Sequence, residues 1–507
     1  FYSKGLARLE GRWAGSGVSG LEYLDFEHPY AADLDLFGVG SLFERLCTAR
    51  TRSGEERLSS WLLAPATPET IHERHVAISE LRPRLDLRED LELLGVEVRE
   101  GIDPSALAAW STAQREFPGR GVLVIATLLG ALGTVTLIGW AFFDWPLLPL
   151  LAVLLIVAAF SRWMSKPVSN VLAAVDQRVH DLVLLAELLR RLEREPFEAP
   201  LLRRLVTALE TDGHPASSQI KTLARLIQVL DWKRNQLFLP LALLWLWTIQ
   251  LALRIDAWRS RSGRAITGWL AAVGEFEALC ALAAYAAENP ADPFPDLAPG
   301  PACFEAESLG HPLILHRECV RNDVSLGPVT RVYLVSGSNM SGKSTLLRTV
   351  GINAVLAQAG APVRAVRLRL SPLAVGGTLR IQDSLQAGRS RFYAEITRVR
   401  QLVDLSRGPL PLLFLLDELF HGTNSHDRCV GAESVVRGLI DRGAIGLVTT
   451  HDLSLARIVD NLAPTAINVH FEDHLEDGKM SFDYRMRPGV VQHSNALALM
   501  RAIGLEV

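Results

Sequence analysis

Two apolar runs interrupt the polar helical pattern of the first 300 residues. Residues 122–143 and 147–160 carry no charged side chain, and a turn signal at 144–146 separates them. A helix rises about 1.5 Å per residue, so the first run is long enough to cross a bilayer. The second run is short for a span, but Trp163 and Met164 can extend it. The pattern therefore predicts a helical hairpin.

The charges around this hairpin indicate where it lies. Arg115 and Arg120 precede it, Arg162 and Lys166 follow it, and the turn between the runs holds only Asp144. Under the positive-inside rule, both ends of a membrane-spanning hairpin with these charges face the cytoplasm. The alternative is a hairpin that is buried inside a large helical domain.

A third apolar segment, residues 237–253, contains Pro240 and Gln250 and has basic residues on both sides. If it crossed the membrane completely, the two ends of the chain would lie on opposite sides. We therefore expect a buried, interfacial or re-entrant helix in this segment.

The remaining pattern divides the chain into regions. Helical periodicity with polar faces covers residues 1–110 and 170–300, on either side of the hairpin region 111–169. A Pro-rich linker at 288–300 ends the second helical region. From 301 to 507, short β-rich runs alternate with helical patterns, which is typical of an α/β domain with a mainly parallel sheet.

Composition narrows the classes of function. A chain of 507 residues exceeds one compact core, and its 49% hydrophobic content excludes a largely disordered protein. The net charge is -4, so any surface that binds nucleic acid must be local. The five cysteines are scattered without a CxxC pair, which favours reduced cytosolic thiols over a zinc knuckle or a disulfide framework. Because the chain begins at Phe1, we expect a fragment or a processed product.

The strongest chemical motif lies at residues 337–344, which fit the pattern GxxxxGK[ST] of a phosphate-binding loop. A predicted strand at 331–336 precedes it, and a helical pattern follows. The glycines let backbone N–H groups point at phosphate oxygens, and the helix N-terminus adds partial positive charge. Lys343 is expected to reach the β- and γ-phosphates, and Ser344 to ligate Mg²⁺. The predicted nucleotide-binding residues here are Gly337, Ser338, Asn339, Met340, Ser341, Gly342, Lys343, Ser344 and Thr345.

Two other predicted strands end in candidate catalytic residues. Residues 412–416 are all apolar, which predicts a central parallel strand that ends at Asp417. A carboxylate at this point holds Mg²⁺, usually through water, and Glu418 is placed to take a proton from the attacking water. The segment AIGLVTTHD predicts a second such strand. Its His451 is expected to contact the γ-phosphate or the attacking water.

A turn that contains glycine leads into a predicted helix with Phe392, Ile396 and Val399 on one face. Ser390 lies near the start of this helix, where a hydroxyl and free N–H groups can meet an anion. In ATPases of the ABC type, such a segment completes the nucleotide site of the opposite protomer.

These motifs resemble the MutS family of DNA mismatch repair ATPases, specifically its short membrane-associated bacterial members. The quoted segments are HPLI (311–314), RNDVSL (321–326), GSNMSGKST, AGRSRFYAE, LDELFHGTNSHD, TTHD, INVHF (467–471) and MRPGV (486–490), with weaker resemblance over 41–80. The resemblance implies an ABC-type P-loop ATPase domain at 301–507 that uses ATP and Mg²⁺, preceded by an all-α lever-like region. It also implies a homodimer in which Ser390 acts in trans. For the aromatic side chain that stacks on adenine in the family, Cys319 and Tyr484 hold the candidate positions.

The chain also departs from the family pattern. Arg391 stands where Thr is usual, and the apolar hairpin occupies the place of the DNA clamp. The matching region starts near residue 36, and we expect no mismatch-reading or connector domain before it. The resemblance therefore carries over the ATPase chemistry but not the recognition of mismatches.

Three outputs of the ATPase are open. The family implies a DNA-binding, mismatch-repair-related protein, whose affinity for duplex DNA should fall steeply with salt. The hairpin favours a membrane-anchored mechanochemical or signalling ATPase with no DNA role. An ABC transporter subunit ranks last, because the LSGGQ signature is absent and two short spans are too few for a substrate path. The expected location is the bacterial inner membrane, with the ATPase domain in the cytoplasm.

Overall fold

The computed structural model describes residues 1–101, 109–112, 116–117, 120–176, 179–231, 239–338, 340–380, 391–420, 424–476 and 479–491. The chain divides into two compact units. The first combines Phe1–Thr48, Arg57–Arg84 and Ala278–Val507, and the second combines Ala49–Glu56 and Leu85–Glu277. The domain boundaries expected from the sequence stay a prediction.

Helices and short strands alternate along the described residues. The helices are α1 (Tyr2–Leu9), α2 (Leu42–Leu46), α3 (Arg52–Leu63), α4 (Pro68–Leu81), α5 (Leu85–Gly101), α6 (Arg120–Phe142), α7 (Leu147–Asp176), α8 (Val179–Glu193), α9 (Pro200–Ala208), α10 (Ala216–Asp231), α11 (Leu239–Leu244), α12 (Trp247–Glu288), α13 (Lys343–Ala359), α14 (Arg391–Leu405), α15 (Ser425–Asp441), α16 (Leu453–Ala456) and α17 (Ile458–Leu462). The strands are β1 (Glu210–Thr211), β2 (His214–Pro215), β3 (Asp296–Leu297), β4 (Phe304–Leu309), β5 (Asn322–Leu326), β6 (Val332–Ser336), β7 (Arg367–Leu370), β8 (Ala374–Gly377), β9 (Leu412–Leu416), β10 (Ile445–Thr450), β11 (Ala466–Glu476) and β12 (Lys479–Pro488).

The first unit contains two sheets. The larger has the strand order β12-β11-β6-β10-β9-β8, with every pair parallel except β11 and β12 at one edge. The smaller, β3-β7-β4-β5, is mixed. Strand β9 has the bounds that its apolar run predicts, and β6 begins one residue later than predicted. All residues of β6, β9 and β10 are buried, which explains why these strands are apolar along nearly their whole length.

The order of these central strands brings the candidate chemistry together. Strands β6, β10 and β9 are neighbours and parallel, so their carboxyl ends meet at one edge of the sheet. Gly446 permits the close packing of β10 on β9, because a Cβ at this position would lie 2.2 Å from the carbonyl oxygen of Phe414. Apolar side chains of α14 and α15, including Leu402 and Val436, share a buried core with Phe414.

The second unit contains the predicted hairpin as α6 and α7. Helix α6 ends at Phe142 and α7 begins at Leu147, which leaves the turn where the sequence predicts it. Helix α7 is longer than its apolar run and continues through Pro167 to Asp176. Glycine lets the helices approach closely, since a Cβ at Gly133 would lie 2.6 Å from the Leu244 side chain of α11.

Within the described part of the chain, three helices are long and apolar enough to cross a membrane by length and composition, namely Gly121–Phe142, Leu147–Ala173 and Trp247–Glu288. The most apolar stretch is 28% buried in the first helix and 22% buried in the second, but 83% buried in the third. The first two helices therefore expose apolar surface, whereas the third uses its apolar residues mainly for internal packing. Their relation to a membrane stays a prediction.

The third apolar segment is broken in the middle. Helix α11 ends at Leu244, and α12 begins at Trp247, while Leu246 has a positive φ of 50°. The segment that was expected to form one buried, interfacial or re-entrant helix thus forms two helices with a bend between them, and its position relative to a membrane stays a prediction. Residues 237 and 238 lie outside the described residues.

Candidate nucleotide site

The predicted phosphate loop connects β6 to α13. Gly337 has φ +150° and Gly342 has φ +108°, in the region that favours glycine. A Cβ at Gly337 would lie 2.8 Å from the Ser341 hydroxyl oxygen and 3.0 Å from the Phe471 carbonyl oxygen. The loop conformation therefore requires the glycine that begins the motif. Asn339 lies outside the described residues.

The Lys343 side chain lies inside this loop. Its Nζ donates hydrogen bonds of 2.8 Å to the carbonyl oxygens of both Gly337 and Ser338. Burial lowers the pKa of the Lys343 ammonium, while the nearby charges of Glu418 and Asp417 oppose that shift. The ammonium thus lies at the centre of the loop and next to two carboxylates.

The loop also contains a buried hydroxyl group that lacks a hydrogen-bond partner among the described residues. The Ser341 hydroxyl donates to the Ser338 carbonyl oxygen at 2.8 Å. The Ser338 hydroxyl oxygen, by contrast, is buried and has no hydrogen-bond partner within the described part of the chain. A buried hydroxyl without a partner is unfavourable, so the loop is suited to a ligand with strong acceptor oxygens, such as a phosphate.

Ser344 and Asp417 meet where α13 begins and β9 ends. The Ser344 hydroxyl donates to Asp417 Oδ2 at 2.7 Å. Thr449 donates to the other carboxylate oxygen, and the Asp417 N–H donates to Thr378 Oγ1 at 3.2 Å. A hydroxyl and a carboxylate in contact beside a phosphate loop form a donor set that fits Mg²⁺. Among the described residues no cluster of three His, Cys, Asp or Glu side chains could hold a metal.

Glu418 and His451 form a pair beside this metal-binding set. His451 Nδ1 lies 3.1 Å from Glu418 Oε1, and both side chains are partly exposed. Glu418 has a positive φ of 49°, and its N–H donates to Thr449 Oγ1 at 3.1 Å. Thr449 thereby holds two consecutive acidic residues at the end of β9, and His451 orients the second carboxylate.

Tyr484 is the candidate for base stacking that the structure brings to the loop. A Cβ at Gly342 would lie 3.1 Å from Tyr484 Cδ1, and the Tyr484 side chain is 45% exposed. The Tyr484 carbonyl oxygen accepts a 3.0 Å hydrogen bond from Asn322 Nδ2. The described contacts of Cys319 are elsewhere, since its Sγ accepts a hydrogen bond from the His311 N–H at 3.3 Å.

The other predicted residues are distributed as follows. Thr345 lies in the first turn of α13, and Met340 is the most exposed side chain of the loop, with a positive φ of 70°. Ser390 lies outside the described residues, so its expected role in trans stays a prediction.

Sequence reasoning did not assign roles to Thr449 and Thr378. Thr449 belongs to the TTHD segment, and its position next to the end of β10 is a signal that could have identified it. Thr378 follows β8, far from Asp417 in the sequence. Only the parallel pairing of β8 with β9 brings the two residues together, so the sequence carries no local signal for Thr378.

Comparison with known proteins agrees with this geometry. Residues 333–506 match the family model of MutS domain V. A DNA mismatch repair protein MutS 2 from Halobacterium salinarum is 32% identical over 252 residues, which cover 49% of this chain and 29% of that protein. An Endonuclease MutS2 from Thermus thermophilus is 32% identical over 210 residues, which cover 40% of this chain and 26% of that protein.

A DNA mismatch repair protein MutS from Streptococcus equi subsp. equi is also 32% identical, over 192 residues that cover 37% of this chain and 22% of that protein. The chain thus spans less than a third of the length of these relatives. The matched domain contains the phosphate loop, the acidic strand end and His451. The resemblance inferred from the motifs is confirmed over residues 333–506, which match MutS domain V, the ATPase domain of MutS-like proteins.

Proposed function

We propose that the protein binds ATP and hydrolyses it to ADP and phosphate in a Mg²⁺-dependent reaction. The observation that carries this proposal is the 2.7 Å contact between Ser344 and Asp417, beside a loop that surrounds the Lys343 ammonium. The buried and unpartnered Ser338 hydroxyl supports a phosphate ligand in the same loop. Adenine is the proposed base, with Tyr484 as its stacking partner.

Each side chain has a role that follows from its position. Lys343 neutralises charge on the β- and γ-phosphates, and Ser344 and Asp417 would hold Mg²⁺. When bound, the metal would stabilise the negative charge that develops on the phosphate oxygens. Glu418 accepts the proton of the attacking water, and His451 keeps the Glu418 carboxylate in place. Most of the rate enhancement then comes from positioning and charge stabilisation.

The proposed output is a conformational switch of a homodimer. Two ATPase domains close on two ATP molecules, and Ser390 of each protomer completes the partner's site. Hydrolysis separates the domains, and the helical regions transmit this motion. The match to MutS domain V and the similarity to DNA mismatch repair proteins favour a mismatch-repair-related role on DNA.

A second candidate is a membrane-anchored mechanochemical or signalling ATPase that does not bind DNA. The observation that favours it is the apolar surface exposed by α6 and α7, where Leu128 and Leu155 are more than half exposed. Trp140 and Trp145 lie near the turn, and Trp163 lies near the opposite end, as in the aromatic belts of spanning helices. In this proposal the hairpin lies in the inner membrane and the ATPase domain in the cytoplasm.

Replacement of Glu418 by Gln tests the ATPase proposal. The variant should bind ATP normally and hydrolyse it at least about 100-fold more slowly, because it lacks the proton acceptor. It should therefore accumulate as an ATP-bound dimer. ATP turnover and the mass in solution are the measurements. Glu433→Gln on α15, where the partly buried carboxylate pairs with Arg437, is the control and should hydrolyse ATP at the wild-type rate. Normal hydrolysis by Glu418→Gln would refute the assignment of the proton acceptor.

The two outputs are separated by measuring ATP turnover with and without duplex DNA at low and high salt. Stimulation and binding that fall steeply with salt support the DNA-related output. A turnover that is indifferent to DNA, together with retention in carbonate-washed membranes, supports the membrane-anchored output.

A further inference from the structure

A basic groove in the second unit has no role in the nucleotide site. It lies between the β1–β2 hairpin, α10 and α12, and has a volume of about 570 Å³. Arg254 and Arg261 of α12 line it, together with Trp258 between them. The hairpin and α10 contribute mainly polar side chains, including Ser218 and Thr222, and the apolar part of the lining comes from Leu226 and Ala257.

Hydrogen bonds between its walls hold this groove together. The Gln219 side-chain amide on α10 donates to the Thr211 carbonyl oxygen at 2.8 Å and to the His214 carbonyl oxygen at 3.1 Å, which fixes the hairpin. Trp258 Nε1 donates to the Gln219 carbonyl oxygen at 3.0 Å, which fixes α12 against α10. The groove is therefore defined by contacts among its three walls.

The two arginines of the groove have no ion-pair partner among the described residues. Arg254 and Arg261 are exposed, and neither forms an ion pair or side-chain hydrogen bond within the described ranges. Asp212 is the single acidic residue in the lining. Helical spacing places three further exposed cations on the flanks, namely Lys221, Arg225 and Arg264. Two free guanidinium groups two turns apart on one helix are suited to phosphate oxygens.

The groove begins where the apolar surface ends. Residues 239–253 carry no charge, and Arg254 is the first charged residue after them. Helix α11 exposes Leu241 and Leu243 and packs against the middle of α6, where a Cβ at Gly130 would lie 3.2 Å from the Trp245 Cα. Arg254 follows the start of α12 by two turns, about 10 Å along the helix axis. Further along α12, Gly263 lies close to the Ser111 carbonyl oxygen, ahead of the start of α6. With the hairpin inserted as proposed, α12 therefore runs from the middle of the hairpin toward the edge of a hydrocarbon layer about 30 Å thick.

We propose that this groove binds the phosphate of an anionic phospholipid at the cytoplasmic surface of the membrane, through Arg254 and Arg261. The inference rests on the proposed insertion of the α6–α7 hairpin. A nucleic-acid backbone offers the same phosphate chemistry, but the groove adjoins exposed leucines rather than a long basic stripe. Trp258, whose N–H is already hydrogen-bonded, lies between the two arginines, and this combination of residue types is typical of the interface between lipid and water.

The test uses the full chain in an uncharged detergent. Short-chain phosphatidylglycerol and short-chain phosphatidylcholine are titrated into wild type, into an Arg254→Gln/Arg261→Gln double variant, and into an Arg190→Gln/Arg203→Gln control that removes the same charge from α8 and α9. The groove variant should bind phosphatidylglycerol at least about tenfold more weakly, and the control should bind like wild type. An Arg254→Lys/Arg261→Lys variant should recover most of the affinity, which separates charge from misfolding.

Three results would overturn the proposal. The first is equal affinity of wild type for the two lipids, and the second is unchanged phosphatidylglycerol affinity in the groove variant. The third is loss of binding to duplex DNA in the groove variant while its lipid affinity is unchanged, which would assign the groove to nucleic acid. Carbonate extraction of wild-type membranes tests the anchor separately. If carbonate extracts the chain, the hairpin insertion is refuted. If the chain is retained but the groove variant binds phosphatidylglycerol like wild type, only the lipid site is refuted.

Discussion

The α/β part of the first unit and the hairpin of the second unit use apolar sequence in opposite ways. Strands β6, β9 and β10 are buried along their entire length, and their backbone groups pair with neighbouring strands. Helices α6 and α7 satisfy their backbone internally and leave most of their apolar side chains exposed. Apolar runs of similar composition therefore position a polar site in one unit and present a surface in the other.

This difference determines which property a substitution removes in each region. In the first unit the site depends on a few polar atoms at fixed strand ends, so a single substitution can remove the chemistry without unfolding the sheet. The proposed membrane insertion of the hairpin would instead depend on the apolarity of a whole surface. Substitutions in the two regions should therefore give separable losses.

Lys343→Ala should give the largest effect and should be confined to the first unit. The ammonium that occupies the loop is lost, together with its contacts to two phosphates, and ATP affinity should fall by about 1,000-fold. Equilibrium binding of a labelled ATP in the presence of Mg²⁺ measures this. Membrane retention should not change, because the hairpin is untouched.

Arg317→Ala is the matched control for that experiment. Arg317 is an exposed cation of the same unit and pairs only with the neighbouring Glu318. It should bind ATP like wild type. Wild-type ATP affinity in Lys343→Ala would contradict the whole interpretation of residues 337–344 as a phosphate loop.

Leu155→Arg should give the next largest effect and should be confined to the hairpin. Leu155 is 72% exposed and lies near the middle of the apolar part of α7. An arginine at the centre of a spanning helix costs about 3 kcal/mol, so less protein should remain in carbonate-washed membranes. ATP binding by the detergent-solubilised variant should be normal.

Leu155→Ala is the control, because it shortens the same side chain without adding charge. It should remain in the membrane fraction. If Leu155→Arg is retained as well as Leu155→Ala, the hairpin does not face lipid, and the buried alternative is favoured.

The same contrast explains which features the sequence could predict. The phosphate loop and the acidic strand end were predictable because each is a contiguous segment whose neighbours set its geometry, as Lys343 and Asp417 illustrate. The roles of Thr378 and Glu395 were not, because each contacts a residue that is remote in sequence. Thr378 accepts from the Asp417 N–H, and Glu395 accepts from the Phe420 N–H. Only the sheet order and helix packing create these contacts.

In the helical unit, the sequence predicted apolar segments better than their ends. The hairpin turn was found because Asp144 and Pro146 interrupt an uncharged stretch. The bend after Leu244 was missed, because residues 241–247 around it are all apolar and carry no turn signal. The groove beside Arg254 was also missed, since β1, β2 and α10 contribute most of its lining and no motif links them.

Acidification should give the smallest of the predicted effects and should act on the first unit. Burial lowers the pKa of His311 to about 4, with further lowering by the charges of Arg348 and Arg364. Its Nδ1 accepts a 3.2 Å hydrogen bond from the Leu313 N–H, so a proton on Nδ1 would disrupt that contact. Below about pH 6.5 the unfolded chain takes up a proton that the folded chain excludes, and stability is lost as pH falls toward 4. Between pH 7 and 5 this amounts to about 2 kcal/mol.

Urea unfolding of the full chain at pH 7 and at pH 5 measures this loss, and His311→Gln should remove most of it. Some pH dependence should remain in the variant, because burial also lowers the pKa of His75 to about 4. His426→Gln on the exposed start of α15 is the control and should lose as much stability as wild type. Equal losses in wild type and His311→Gln would show that the buried histidine does not limit stability in acid. The first unit would then owe its pH response to other groups. A smaller loss of stability in His311→Gln than in wild type would instead assign the response to His311, whose N–H contacts Cys319 on the segment that leads to β5.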